Sequence, residues 1–375
     1  MKKFNISTNV FFGENSLSRL NLIENKRVAI ITDKFMNDSG VVEKIVNNLT
    51  NCQVFIFDKV LPDPSIEIVS EGVAFVLSSK PEILIALGGG SPLDAAKAIR
   101  EFAHKLGYLD IKECFAIPTT SGTGSEVTKF SVITDSKKGV KYPLISEELE
   151  PMVAILDPSL ITTVPQNVTA DTGMDALSHA LEAYVSTEST DFTDALAEKA
   201  ITMLFKFLPM SYADGNNLYA REKVHNASCI AGMAFNTAGL GICHSIAHAI
   251  GGKFHISHGR CNSILLPHII RFNAGLDYQE ETVEARKYKR IAKLLGLPYF
   301  NTILGVNSLI KAVSEMNNSF KIPTTFRTLG VTPEDYNKYK SELIQSALSD
   351  VCTKTNPRGV SASDIERILS KSIPF

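Results

Sequence analysis

Three short stretches, Arg27–Thr32, 52–58 and Glu82–Leu87, carry β-branched and other apolar residues almost without interruption. Strands buried on both faces in a parallel sheet have this pattern, because no position along them is left for solvent. Between them apolar positions recur at helical spacing: Val41, Val42, Ile45, Val46 and Leu49 within 39–50, then Ile66, Ile68, Val69, Val73 and Val76 within 65–79. The alternation of strand and helix predicts an α/β sheet covered by helices. Another helix should open at Ser91-Pro92, with proline in its first turn, and strand-like runs follow at Cys114–Ile117, Val127–Thr134 and Met152–Leu156.

From about residue 168 the strand signal stops. Helical patterns cover 169–187, 191–208, 217–239, 242–251, 262–272, 280–295 and 302–317. The change falls at Asp157–Pro165, which contains two prolines, so the expected organisation is an α/β domain over 1–165 and an all-helical domain over 166–375. The length of 375 residues agrees with two domains, and 44% apolar against 21% charged residues describes a chain able to bury a large core. Thirty-eight basic and forty acidic side chains leave no basic field for nucleic acid or an anionic membrane. No apolar run reaches bilayer length, and the opening residues Met1–Ile6 show no secretory pattern, so a cytoplasmic protein is expected. The six cysteines lack zinc-knuckle spacing and read as small buried apolar residues.

Leu87-Gly88-Gly89-Gly90-Ser91-Pro92 joins a buried strand to a helix, where glycines let the backbone approach a ligand and the helix start offers unpaired N–H groups to phosphate. A second turn, Pro118-Thr119-Thr120-Ser121-Gly122-Thr123-Gly124-Ser125-Glu126, supplies hydroxyls and two glycines after the next strand, and together the loops point to a pyrophosphate cradle. The usual G-x-G-x-x-G fingerprint follows the first strand, whereas this turn follows the third, so the expected nucleotide fold is a variant, Rossmann-like sheet. Asp33 ends the first strand, where an acidic side chain either binds a ribose hydroxyl or caps a helix.

Five of the eight histidines, His244, His248, His255, His258 and His268, crowd into 25 residues. Asp175 and His179 stand four apart, as do His244 and His248, so each pair faces one side of its helix, and His258 follows in Ser257-His258-Gly259. A carboxylate with up to three imidazoles suits one divalent cation, Fe2+ or Zn2+, with a position left for substrate. Spacing leaves open which of His244 and His248 is the ligand. His104, His225 and His268 read as ordinary hydrogen-bonded residues, and His255 carries no assignment.

The two loops, Asp175-x3-His179 and His244-x3-His248-x9-His258-Gly259 together resemble the iron-containing (group III) alcohol dehydrogenases over most of the chain. Within that family the likeness is greatest to the branch that makes 1-propanol in propanediol-utilisation microcompartments, through 118–128, Gly139–Leu144, Asp191–Ala200 and His225–Ser228. The resemblance implies an N-terminal nucleotide domain and a C-terminal helical domain. It also implies one metal, iron(II) foremost, held by Asp175, His179, His244 and His258, with His248 beside the nicotinamide as the catalytic candidate; His248 or a ribose hydroxyl relay to solvent would carry the proton. Asp33, Asp63, Gly89, Gly90, Ser91, Asp94, Thr119, Thr120, Thr123 and Lys141 match positions around NAD. Asp63 and Asp171 each stand where relatives have asparagine. The implied reaction interconverts propanal and 1-propanol by hydride transfer, the metal polarising the substrate oxygen. Rival readings are an ethanolamine-pathway ethanol dehydrogenase, a glycerol or diol dehydrogenase, and a metal-dependent hydrolase. Expected partners are a small alcohol or aldehyde, further copies of the chain as a dimer or larger, and microcompartment shell or enzymes.

Overall fold

The computed structural model describes residues 3–108, 110–136, 140–278 and 281–373, so Gly139 and Glu280, which the patterns above include, lie outside the described residues. Six parallel strands, β1 (Asn9–Phe12), β2 (Arg27–Ile31), β3 (Gln53–Phe57), β4 (Ile83–Gly88), β5 (Glu113–Pro118) and β8 (Val153–Leu156), form one sheet in the order β1-β8-β5-β4-β2-β3. β4 is buried at all six positions, as its unbroken apolar run requires. Helices α1 (Lys34–Asp38), α2 (Val41–Val46), α3 (Ile66–Ser79) and α4 (Gly90–Lys105) accompany the sheet. The single helix expected over 39–50 starts only at α2, because Gly40 takes a left-handed φ of 78° that separates it from α1.

The run 127–134 does not join the sheet. Val127 ends a short 3-10 turn, and 130–134 belong to β6 (Phe130–Asp135), which pairs antiparallel with β7 (Val140–Ile145) in a separate ribbon. Burial alternates along β6, so the ribbon is covered on one face only. That face is fixed to α4, where Ser131 Oγ donates to the Asp94 carbonyl at 2.8 Å.

The remaining helices are α5 (Gln166–Val185), α6 (Asp191–Ala213), α7 (Leu218–Ala238), α8 (Ile242–Phe254), α9 (His258–Asn273), α10 (Val283–Leu294), α11 (Thr302–Ser319), α12 (Pro333–Ser349) and α13 (Ala362–Ser372). Two compact units result: Met1–Val164 with Asn216–Asn236, and Pro165–Gly215 with Thr237–Phe375. The chain passes from one unit to the other at Val164–Pro165, at the expected boundary, but Asn216–Asn236, most of α7, returns to the first unit. A Cβ on Gly124 would stand 2.7 Å from the Cα of Gly232, so backbone meets backbone there, and Cys229 packs with Val127, Ala154 and Leu156. Among the described residues no single helix is long and apolar enough to cross a membrane.

Candidate active site

In the first unit the carboxyl ends of β2, β4 and β5 lie side by side; β4 and β5 run into the two small-residue loops, and β2 runs into Asp33. β2 leads outward to β3, whereas β4 lies on its other flank, and open α/β sheets take ligands at such a reversal. The two loops close on each other: Thr119 N–H donates to the Gly88 carbonyl at 2.9 Å, and a Cβ on Gly90 would stand 2.8 Å from Thr123 Cγ2. Across the same turn, Gly89 faces Thr120. Asp63 N–H donates to Ser91 Oγ at 3.3 Å, and Lys141 Nζ lies 2.6 Å from the Asp63 carboxylate, so these three residues are linked too. Glycine backbone at a helix start, flanked by hydroxyls and a lysine, fits the phosphates of a dinucleotide.

Of its two expected roles Asp33 fills that of the helix cap. Its Oδ1 caps α1 by accepting from Met36 N–H at 2.9 Å, while Oδ2 faces Gly88. Asp94 is different: it is enclosed, accepting from Ser125 Oγ at 2.6 Å and Val132 N–H at 2.9 Å. Beside it Lys97 Nζ donates to Ser125 Oγ, Thr128 O and Phe130 O at 2.8–2.9 Å. Burial pushes the Asp94 pKa up and the Lys97 pKa down to about 8, with each charge opposing the other's shift. The pair braces the hydroxyl loop from below. His225 supports it as well, its Nδ1 2.9 Å from Ser121 Oγ, and burial lowers the His225 pKa to about 4.

The second unit brings the four candidate metal ligands together. Asp175 and His179 project from one face of α5, His244 from α8, and His258 from the start of α9, and one donor atom of each falls within 4.8 Å of all the others. Asp175 Oδ1 is 3.4 Å from His258 Nε2 and 3.7 Å from His244 Nε2, and the His179 and His244 rings stack at 4.5 Å. Burial alone would raise the Asp175 pKa, but the surrounding imidazoles hold it well below the usual carboxylate range. For His244 burial disfavours the cation, yet Glu182 and Asp175 outweigh it and lift the pKa to about 9. Burial holds the His258 pKa well below that of a free imidazole. His244 Nε2 is buried with no hydrogen-bond partner, and one carboxylate with three imidazoles is a donor set for Fe2+ or Zn2+, so these residues fit a divalent cation.

His248 stands apart from that set. Its ring stacks on His258 at 5.1 Å, and its Nδ1 lies 2.8 Å from Asp350 Oδ2. Two of its neighbours, Asp350 and Cys352, form a separate group with it. The His248 bond holds the Asp350 pKa down at about 2 against the upward pull of burial.

Three polar residues here were not anticipated from the sequence. Glu182 continues the Asp175–His179 face of α5 and contacts His244, a signal present in the spacing. Asn262 donates to Asp175 Oδ1 at 2.7 Å, and Asp350 reaches His248 across 102 residues; neither carries a local signal. Asp171 accepts from Ser257 Oγ at 2.8 Å and Arg260 Nε at 2.9 Å, fastening the start of α9 to α5.

Glycine and hydroxyl loops at a sheet's carboxyl edge, with a buried carboxylate–imidazole cluster in the other unit, define a dehydrogenase that works with a dinucleotide and a metal ion. The family model "Iron-containing alcohol dehydrogenase" matches residues 7–158, and "Fe-containing alcohol dehydrogenase family, C-terminal" matches residues 169–373. The chain belongs to the iron-containing alcohol dehydrogenase family, and it is an oxidoreductase that interconverts alcohols and aldehydes with NAD and a metal. It is 44% identical over 374 residues to 1-propanol dehydrogenase PduQ of Citrobacter freundii, covering 99% of this chain and 100% of that one. It is 40% identical to the NADPH-dependent butanol dehydrogenase of Clostridium saccharobutylicum, covering 98% and 97%. Among solved structures, a 1,3-propanediol oxidoreductase superposes with a TM-score of 0.90 at 34% identity, covering 100% of both chains.

Proposed function

We propose that the chain interconverts propanal and 1-propanol with NAD(H), with one cation, iron(II) foremost, held by Asp175, His179, His244 and His258. The observation that carries the metal reading is four donor atoms within 4.8 Å, one of them the unpartnered, buried His244 Nε2. The choice of alcohol is supported by end-to-end similarity to a relative named for 1-propanol. The bound groups supply Lewis-acid polarisation of the substrate oxygen and hydride transfer. The chain's own residues bind and orient. Asp33 meets the adenosine ribose. Gly89, Gly90, Ser91, Thr119, Thr120 and Thr123 hold the phosphates with Lys141, Asp63 lies on the adenosine side and pairs with Lys141, and Asp94 stiffens the loop beneath them. His248 takes the alcohol proton at Nε2 during oxidation and returns it during reduction, while Asp350 holds its Nδ1.

Initial rates for ethanol, 1-propanol, 1,2-propanediol and glycerol with NAD and NADP, beside metal analysis of anaerobically purified protein, test this reading. The highest kcat/KM is expected for 1-propanol with NAD, and glycerol or a diol ahead of it would refute the choice of alcohol. Asp175→Ala is expected to abolish metal retention and turnover while NADH still binds, because ligands and loops belong to different units. Full activity in metal-free Asp175→Ala protein would sink the metal reading. Similarity to the propanediol-utilisation branch further supports a cytoplasmic homo-oligomer, dimer or larger, enclosed with shell and enzyme partners in a microcompartment. Light scattering and co-purification with shells test those two points.

A further inference from the structure

We propose that Glu182 is a positioning residue for the metal, holding a proton on Nδ1 of His244 so that the Nε2 lone pair is left for the cation. The proposal rests on reading Asp175, His179, His244 and His258 as the metal site. Glu182 and His244 are 3% and 1% exposed, so no water competes for either group. The two carboxylate oxygens of Glu182 serve different partners. Oε1 accepts from Cys243 N–H at 2.7 Å, and Oε2 lies 2.5 Å from His244 Nδ1. With Oε1 accepting from Cys243 N–H and Oε2 turned to the ring, the geometry assigns the hydrogen of this contact to His244 Nδ1. The opposite nitrogen, Nε2, faces Asp175 Oδ1 at 3.7 Å with no hydrogen-bond partner, and its lone pair is what a cation takes when it displaces any proton there. Gly241 gives the carboxylate its seat, since a Cβ there would stand 2.7 Å from Oε1.

The two-sided contact makes Glu182→Gln a sharp test, because the amide has the shape of the carboxylate with only one acceptor oxygen. Cys243 N–H requires that oxygen, which turns the amide NH2 toward His244 Nδ1 and drives the ring's hydrogen onto Nε2, inside the metal site. To regain the Nδ1–H tautomer for the metal, the amide would have to reverse and set two N–H donors against each other at Cys243, so the substitution opposes metal binding. Removal of such outer partners weakens metal binding roughly 10- to 100-fold.

The experiment measures zinc and cobalt(II) affinity by chelator competition on full-length wild type, Glu182→Gln and Asp175→Asn, together with the thermal midpoint of each metal-free protein. Glu182→Gln is expected to bind roughly 10- to 100-fold more weakly at an unchanged metal-free midpoint. If Asp175→Asn loses the metal while Glu182→Gln stays within about twofold of wild type, the positioning role is overturned and the metal site stands. If Asp175→Asn binds like wild type, the metal site itself is wrong. Should Glu182→Gln fail to fold, nitrogen-15 histidine spectra of zinc-loaded wild type decide: a slowly exchanging Nδ1–H on His244 is expected, and its absence overturns the proposal.

Discussion

Substituting Gly259 by alanine places a methyl group where two helices touch. Its Cβ would lie 2.1 Å from the carbonyl oxygen of Asp171, 2.7 Å from that carbonyl carbon and 3.3 Å from Asp175 Cβ. The nearest obstacles are backbone atoms of α5, so no side chain can swing aside. Restoring ordinary contact requires α9 and α5 to part by roughly 1 Å, an overpacking that costs about 1–3 kcal/mol. The displacement acts on the ligands directly, because Gly259 follows His258, whose Nε2 lies 3.4 Å from Asp175 Oδ1. Metal–ligand distances tolerate only about 0.2 Å, so affinity should fall by roughly tenfold or more. Denaturant unfolding of metal-free and zinc-loaded protein separates the two effects. Zinc at about 100 times the wild-type Kd adds about 2.7 kcal/mol to wild type, and at the same zinc concentration a tenfold loss of affinity should leave about 1.4 kcal/mol of that increment. A Gly259→Ala protein with the wild-type zinc increment would refute the argument that this contact sets the spacing of the ligands.

Two more outcomes follow from the first unit. Asp33→Ser keeps a capping oxygen for Met36 N–H and removes the charge, so the kcat/KM ratio of NADP to NAD should rise with little change in stability; an unmoved ratio would reduce Asp33 to a cap. His225 is buried with its pKa lowered from 6.5 to about 4, so the unfolded chain binds its proton first as pH falls. Its contribution is therefore intact above 6.5 and is lost progressively down to about 4, a change on the order of 3 kcal/mol. Urea midpoints measured between pH 7.5 and 4.5 should fall less steeply for His225→Gln than for wild type; parallel curves would contradict the assignment.

Much of the architecture was readable because burial imposes a period. β4 is covered on both sides and reads as an unbroken apolar run, while Asp175 and His179 fall four apart because α5 turns one face to the ligand set. β1 left no such trace: three of its four residues are exposed at the sheet edge, so no buried face enforces alternation. The beginnings of α12 and α13 were marked by the capping boxes Thr332/Asp335 and Ser361/Asp364, a signal that apolar periodicity alone passes over. His244 and His248 are equivalent by spacing. They become distinct only through Glu182 and Asp350, carboxylates 62 and 102 residues away, and pairings at that range leave no mark in a local pattern.

The return of Asn216–Asn236 to the first unit has a consequence for synthesis of the chain. When the ribosome has released Val164, every strand of the sheet exists, yet the helix that meets Gly124 backbone to backbone is still fifty residues from emerging. Until then the hydroxyl loop is open on that side, with the apolar surface of Val127, Ala154 and Leu156 awaiting Cys229. The nascent chain must therefore keep a nearly finished sheet soluble while α5 and α6 are made. A fragment cut at the proline boundary would stay permanently in that unfinished condition.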